Sequence, residues 1–356
     1  MPVSLSGPLV PCFDVLINGS PVSANVLRYI EEVVVDDSID LPSMFVFTVT
    51  TSDAQDKESP WVDDTDLFSL GNVVEIKMGG EGDLTKLISG EITALEPEFV
   101  TSRIPLLRVR GYDRRHRLQR GRKTRTFLQK KDSDIASQIG GEAGLSVDAS
   151  DSGPSLEYVL QANQTDWEFL CGRGRLIRYE VAVDDKTLLF RPAGNDQSEV
   201  LTLDMNNGLL EFYPRLAVAG QRTEVKVQSW SVKDKKAILG DSAAGDEVSS
   251  MGGQASGAAL AKDAFGDAID VISHQPVGAQ AEADQIAKAR FNDLVLELIS
   301  GDGLCWGRAE IRAGKVIKID GIGRRFGGSY YVTSAIHRYT PANGYLTEFV
   351  VRRNAS

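Results

Sequence analysis

Apolar residues in this chain fall mostly at every second position. Phe13, Val15 and Ile17 alternate with other residues up to Asn18-Gly19, a dipeptide whose members both tolerate positive φ, which predicts a tight β-hairpin turn. Strand-like runs follow at MFVFTVT (44–50), NVVEIKM (72–78), KLISGEITALEPEFV (86–100) and IPLLRVRGYD (104–113), separated by polar or Gly-rich turns. Strands at such short spacing predict a closed or sandwiched antiparallel sheet. From about 114 the period lengthens. DSDIASQIGGEAGL (132–145) sets Ile135 and Ile139 four apart behind an Asp/Ser start, and TDWEFLCGRGRLI (165–177) opens with Thr165 as cap and Asp166 and Glu168 at the positive end of the helix dipole. Both predict short helices. A hairpin, YEVAV (179–183) and TLLFRP (187–192), completes a small α/β insertion over roughly 115–200.

Strand patterning resumes at GLLEFYPRLAV (208–218) and RTEVKVQSWSV (222–232), then gives way to a Gly/Ala/Ser-rich stretch that reads as a flexible loop. A helix is predicted over 279–300, closing on Gly301, and strands over 305–311, 315–320, 329–339 and 345–353, the last two joined at Asn343-Gly344. The expected fold class is α+β and β-rich, with two tube-like antiparallel β-barrels, an α/β insertion between them and a late helix. The expected divisions are 1–114 for the first barrel, 115–206 for the insertion, 207–238 with 300–356 for the second barrel, and 239–299 for flexible loop plus helix. No sequence repeat is evident, but the β-rich segments are alike in size, which leaves room for a duplication at the level of structure.

The 356 residues suffice for a large core without covalent staples. Cys12, Cys171 and Cys305 are odd in number and far apart, consistent with a reducing compartment and offering no CxxC pair. No apolar run approaches the ~20 residues of a bilayer span, and the first residues lack the order of a secretory signal, so synthesis in the cytoplasm and no membrane insertion by the chain itself are expected. A formal net charge of -11 disfavours nucleic acid and anionic membranes as partners. Charge is nonetheless uneven. The first hundred residues carry 18 Asp and Glu against 4 Lys and Arg, whereas residues 101–131 carry 12 Lys and Arg and only Asp113. In that stretch Arg114, Arg115, Arg117, Arg120, Arg122, Lys123 and Arg125 are the candidate subunit or partner contacts. Tyr112 and Phe127 between them would suit a phosphate-gripping, base-stacking surface. Pairing with acidic surface, on a neighbouring subunit or on the chain's own first domain, suits the charge asymmetry better.

Candidate chemistry is sparse. His116, His274 and His337 form no recognisable site, and no HExxH, DxDxDG or close His/Cys pair is present. GDSAAG (240–245) has the wrong spacing for a nucleophile elbow, and GIGRRFGG (321–328) lacks the following helix of a phosphate-cradling loop. No catalytic residue, cofactor or metal is expected, although an abundance of carboxylates leaves a cell-wall hydrolase as the enzymatic alternative.

Several segments in order resemble the phage late-control protein D family, the hub of contractile tails, and the N-terminal part of VgrG-type spike proteins. They are RGYDRRHRLQRGRKTRTF (110–127), DSDIASQIGGEAGL (132–145), 164–192, VQSWSVKDKKAILG (227–240), AEADQIAKARFNDL (281–294) and 307–353, the last with its Gly-x-Tyr-Tyr-Val-Thr run, His337 and Gly344-Tyr345. The resemblance implies a homotrimeric baseplate hub, assembled into a virion tail or injection particle, in which two tube-like barrels per subunit give pseudo-sixfold symmetry. It implies as partners a tail tube protein, a spike protein and other baseplate proteins. VgrG-type chains continue into an OB-fold and a needle, so the spike is expected on a separate polypeptide unless this is the hub part of a longer product.

Overall fold

A computed structural model describes residues 11–50, 61–62, 66–102 and 104–356. The first β-unit comprises β1 (Pro11–Ile17), β2 (Ser20–Pro21), one-turn α1 (Ala24–Leu27), β3 (Ile30–Ser38), β4 (Met44–Thr50), β5 (Val73–Gly80), β6 (Asp83–Glu98) and β7 (Leu106–Asp113). The insertion follows as α2 (Arg115–Leu118), β8 (Lys123–Lys130), α3 (Asp132–Glu142), β9 (Ser146–Ala149), β10 (Leu156–Gln164), α4 (Asp166–Ile177), β11 (Tyr179–Asp184) and β12 (Thr187–Pro192). The second unit starts with β13 (Glu199–Leu203) and β14 (Leu209–Leu216). A lobe of β15 (Glu224–Ser231), β16 (Lys236–Ala243), α5 (Gly257–Phe265), β17 (Ile269–Ile272) and α6 (Gln280–Leu296) interrupts it. It ends with β18 (Ile299–Trp306), β19 (Val316–Ile319), β20 (Gly328–Thr340) and β21 (Gly344–Arg353).

The fold is α+β and β-rich, and its two tube-like units belong to one 13-stranded sheet whose path runs β14-β18-β21-β20-β3-β4-β7-β6-β5-β1-β2, with β19 and then β13 on a second flank of β20. Each unit folds over its own apolar core. Val15, Val33, Val35, Phe45, Phe47, Ile76 and Val109 fill the first, and Leu203, Ile299, Ile317, Tyr330, Ala335 and Phe349 the second. The joint between them is β3 against β20, antiparallel from Val33↔Tyr339 to Ser38↔Ser334.

The two units repeat one strand order. Neighbours in the first are β3, β4, β7, β6, β5 and β1; in the second they are β14, β18, β21, β20, β19 and β13. Irregularities recur at the same steps: between Ile30 and Glu32 in β3 as between Leu209 and Glu211 in β14, and between Ile92 and Ala94 in β6 as between Val332 and Ser334 in β20. A β-bulge bends its strand at a fixed place, so matching bulges mean matching curvature. The last pair differs, β1 lying antiparallel to β5 and β13 parallel to β19.

Local signals explain many elements. Asn18 and Gly19 take φ of 51° and 81° at the β1–β2 turn. Thr165 caps α4 reciprocally, its Oγ1 accepting from Glu168 N at 3.1 Å while Thr165 N donates to Glu168 Oε2 at 3.0 Å. Two readings need correction. The segment expected to be helix to residue 300 becomes strand β18 from Ile299, where Leu298 and Ile299 enter the second core. The Gly/Ala/Ser-rich stretch holds β16, α5 and β17. Its small residues serve close packing: a Cβ on Gly240 would stand 2.4 Å from the Ala283 backbone of α6, and one on Gly253 would stand 2.7 Å from the Ala355 carbonyl carbon.

Candidate functional site

The basic stretch runs from the end of β7 through α2 into β8, and so crosses from the first β-unit into the insertion. Arg114 is buried; its Nη1 donates to the Asp185 carbonyl at 2.9 Å and its Nε lies 3.4 Å from Glu91 Oε1. Arg115 is buried as well, with Nε on Asp113 Oδ2 at 2.6 Å, Nη1 on the Ser38 carbonyl at 3.1 Å and its guanidinium 5.7 Å from the centre of the Trp167 ring. Arg117 Nε and His116 Nε2 each stand 2.9 Å from Glu91 Oε2. Burial pushes the Glu91 pKa up, but Arg117, His116 and Arg114 more than reverse it, and the carboxyl ends below its usual range. Farther on, Arg122 forks onto Glu168 at 2.9 and 3.0 Å, Lys123 reaches Asp166 at 2.7 Å, and Arg125 holds Gln161 and Asp166 at 2.8 and 2.9 Å. Arg120 is exposed and has no ion pair among the described residues. The other candidates therefore meet polar groups of their own chain: Arg114, Arg115 and Arg117 fasten the insertion to the first unit, while Arg122, Lys123 and Arg125 tie β8 to other elements of the insertion.

A second polar cluster backs the β3–β20 joint. Buried Asp37 accepts from Ser43 Oγ and from Arg312 Nε, both at 2.7 Å, which binds a first-unit strand to the β18–β19 connection of the second. Burial raises the Asp37 pKa, yet Arg312 and Ser43 outweigh it and the carboxyl sits below its ordinary value. His337 of β20 is wholly buried, with Nδ1 2.8 Å from the Tyr345 hydroxyl; burial, helped by Arg312, drives it down to about 3, so the ring is neutral. Glu180 of β11 lines a cleft of about 290 Å³ between insertion and β-units, together with Arg191, Arg312 and Lys315. Burial pushes its carboxyl up to about 7 against the pull of Arg191 and Arg178.

These groups are arranged to hold elements together. Cys171 and Cys305 are pushed up to about 12 by burial, which leaves them as thiols rather than nucleophiles. His274 lies on an exposed turn, and among the described residues no group of three His, Cys, Asp or Glu could hold a metal ion. What the surface does offer is sheet edges bearing aromatic residues. Tyr213 on β14 and Phe99 just past β6 are each 65% exposed; among the described residues β14 has no strand partner on the side away from β18, and β6 beyond its pairing with β5, which ends at Glu91, has none on the side away from β7. Sequence reading singled out neither edge. It also passed over β3, although Val33 and Val35 alternating among acids is a strand signal.

A family model described as the Alg8 N-terminal domain matches residues 9–341. No curated protein matches the chain. Among solved structures, the chain is similar to the 43 kDa tail protein of prophage MuSo2 from Shewanella oneidensis, with TM-score 0.72 and 12% identity over 96% of this chain and 98% of that one. It is similar to a tail protein from Neisseria meningitidis MC58, with TM-score 0.69 and 13% identity over 97% of each chain. It is also similar to the E. coli c3393 protein, with TM-score 0.62 and 13% identity over 96% of this chain and 77% of that one. That protein is described as a component of the type VI secretion system with structural similarity to the T4 tail proteins gp27 and gp5. At these identities the likeness is one of fold.

Proposed function

We propose that this chain, which belongs to the Alg8 N-terminal domain family, is a structural hub of a contractile injection apparatus, a homotrimer joining a sixfold tail tube to a threefold spike. The observation that carries this reading is the repeated strand order within one continuous sheet. A chain with two like units arranged head to tail gives a ring of six when three copies close, while each copy remains a single subunit to a threefold partner. Edge strands that would otherwise invite indiscriminate pairing are used up by closure. The fold shared with tail proteins and with a type VI secretion component favours the same role. The hub's work is mechanical, and its partners are the tube protein, a spike and other baseplate proteins. The basic stretch serves to hold the insertion at a set angle to the ring.

The test is native mass measurement of the chain alone and with its tube protein, followed by imaging of the complex. Three copies capping a sixfold tube are expected. A chain that remains single and instead clears peptidoglycan in a gel overlay would replace the hub with a hydrolase.

A further inference from the structure

The chain contains, between its own two units, the joint that would complete its open edges. At that joint β3 lies against the Ser334–Tyr339 part of β20. In the repeated strand order β14 occupies the place of β3, and β6 the place of β20. The correspondence is residue by residue. Val332 N donates to the Lys315 carbonyl and accepts at its own carbonyl from Gly314 N; Ile92 does the same with Asn72 and Gly71. Each strand then bulges, after which β20 pairs with β3. At the same step the outer edge of β6 has no strand partner among the described residues, and neither does the edge of β14 away from β18.

We propose that β14 of one copy pairs antiparallel with the Ala94–Phe99 edge of a second copy, repeating the β3–β20 joint between chains. The inference rests on the ring-forming reading above and names the surface that closes the ring. Carrying over the β3–β20 register sets Ala94 opposite Ala217, Leu95 opposite Leu216, Glu96 opposite Arg215, Pro97 opposite Pro214, Glu98 opposite Tyr213 and Phe99 opposite Phe212. The matches are chemical as well as geometric. Two leucines face each other, an acid faces a base, and exposed Phe99 gains an aromatic neighbour. The donation from Ile39 N to the Thr333 carbonyl sets the alternation of rungs. It turns the nitrogens of Pro97 and Pro214 toward one another. Neither proline has an N–H to give, so that rung carries no hydrogen bond and the ladder is held by the Leu95/Leu216 and Phe99/Phe212 rungs on either side. A slip of one residue would set the apolar residues of one strand against the opposite face of the other, so the side-chain pattern selects the register.

The contact is heterologous, one edge meeting a different edge, and such contacts close into rings when the rotation allows. In the carried-over alternation Glu96 and Arg215 stand at a non-hydrogen-bonded rung, where Cα atoms lie about 4.5 Å apart, within disulfide reach. Full-length chains carrying only Glu96→Cys or only Arg215→Cys should therefore cross-link under mild oxidation when mixed and not separately, and the double variant should yield covalent trimers. The pair Glu98→Cys with Arg215→Cys, two residues off register, should cross-link at least about tenfold less. Arg215→Glu should weaken association roughly tenfold, with recovery in Glu96→Arg/Arg215→Glu. Chains that trimerise without preferring the 96/215 pair overturn this seam and leave the hub reading in place. Chains that stay single at every concentration overturn both.

Discussion

In the first β-unit Phe45 lies over Gly111 and Gly90, whereas in the second Phe349 lies over Gly303 and Phe212 over Gly301. Residues at corresponding rungs have exchanged sizes: Phe45 pairs with Gly111 where Gly301 pairs with Val351, and Phe47 pairs with Val109 where Gly303 pairs with Phe349. The space between neighbouring strands is filled in both units, but by side chains from opposite members of each pair. Close packing constrains the summed volume and not which strand supplies it. Charge is exchanged too. Asp113 of β7 corresponds to Arg353 of β21; both are buried, one against Arg115 and the other against carbonyls and the Tyr330 ring.

The largest test of this comparison is at those two charges. Arg115→Met leaves the buried Asp113 carboxylate without its guanidinium and is expected to cost about 3–5 kcal/mol in chemical denaturation. Arg353→Met abandons only neutral partners, chiefly the Gly327 carbonyl at 2.8 Å and the Tyr330 ring, and should cost about 1–3 kcal/mol. Equal losses would mean that the two sites are not the unlike counterparts described.

Next in size is a pH effect confined to one unit. His337 corresponds to Pro97, which cannot titrate. Its folded pKa of about 3 lies below the ordinary value of 6.5, so between those limits the unfolded chain binds the extra proton and stability falls as pH falls. By pH 4 the loss is on the order of 3 kcal/mol relative to pH 7. His337→Gln should remove that part of the pH dependence in urea midpoints taken at the two pH values; an unchanged slope would assign it elsewhere.

The smallest expected effects concern the exchanged volumes. Gly303→Ala meets the Phe349 ring first, 2.3 Å from the new Cβ, and should lose about 1–3 kcal/mol that a Phe349→Leu background largely restores. Gly111→Ala meets the Glu91 carbonyl oxygen at 2.2 Å as well as Phe45 at 2.3 Å. Phe45→Leu should therefore fail to rescue it, and thermal melts of the two pairs of variants would expose the difference or its absence.

The exchange of sizes also explains why the repeat is hidden in the sequence. Strands such as Met44–Thr50 and Gly328–Thr340 are legible from alternation, as are the Asn18-Gly19 turn and the Thr165 cap. An alignment of Phe45 with Gly301 or Val109 with Phe349 matches nothing, because what recurs is a property of rungs. The Gly/Ala/Ser stretch misled for a related reason: small residues read as loop, and only the α6 backbone lying on Gly240 reveals that they are small to admit it. For the candidate site, the basic stretch was visible as charge, but its partners Glu91, Asp185, Glu168 and Asp166 are distant in sequence or ordinary in context. The open edges carry no composition of their own; they appear only when strand order is known.

The pairing of β3 with β20 has a consequence for how the chain is made. Residues 33–38 must wait for residues 334–339 before their second neighbour exists, so during translation the first unit emerges from the ribosome with one flank bare for almost the whole length of the message. High contact order of this kind slows folding and lengthens the interval in which nascent chains can associate wrongly. Val33 and Val35 lie on that flank beside Asp36 and Asp37, and the acids there give the waiting strand a measure of protection until its late partner arrives.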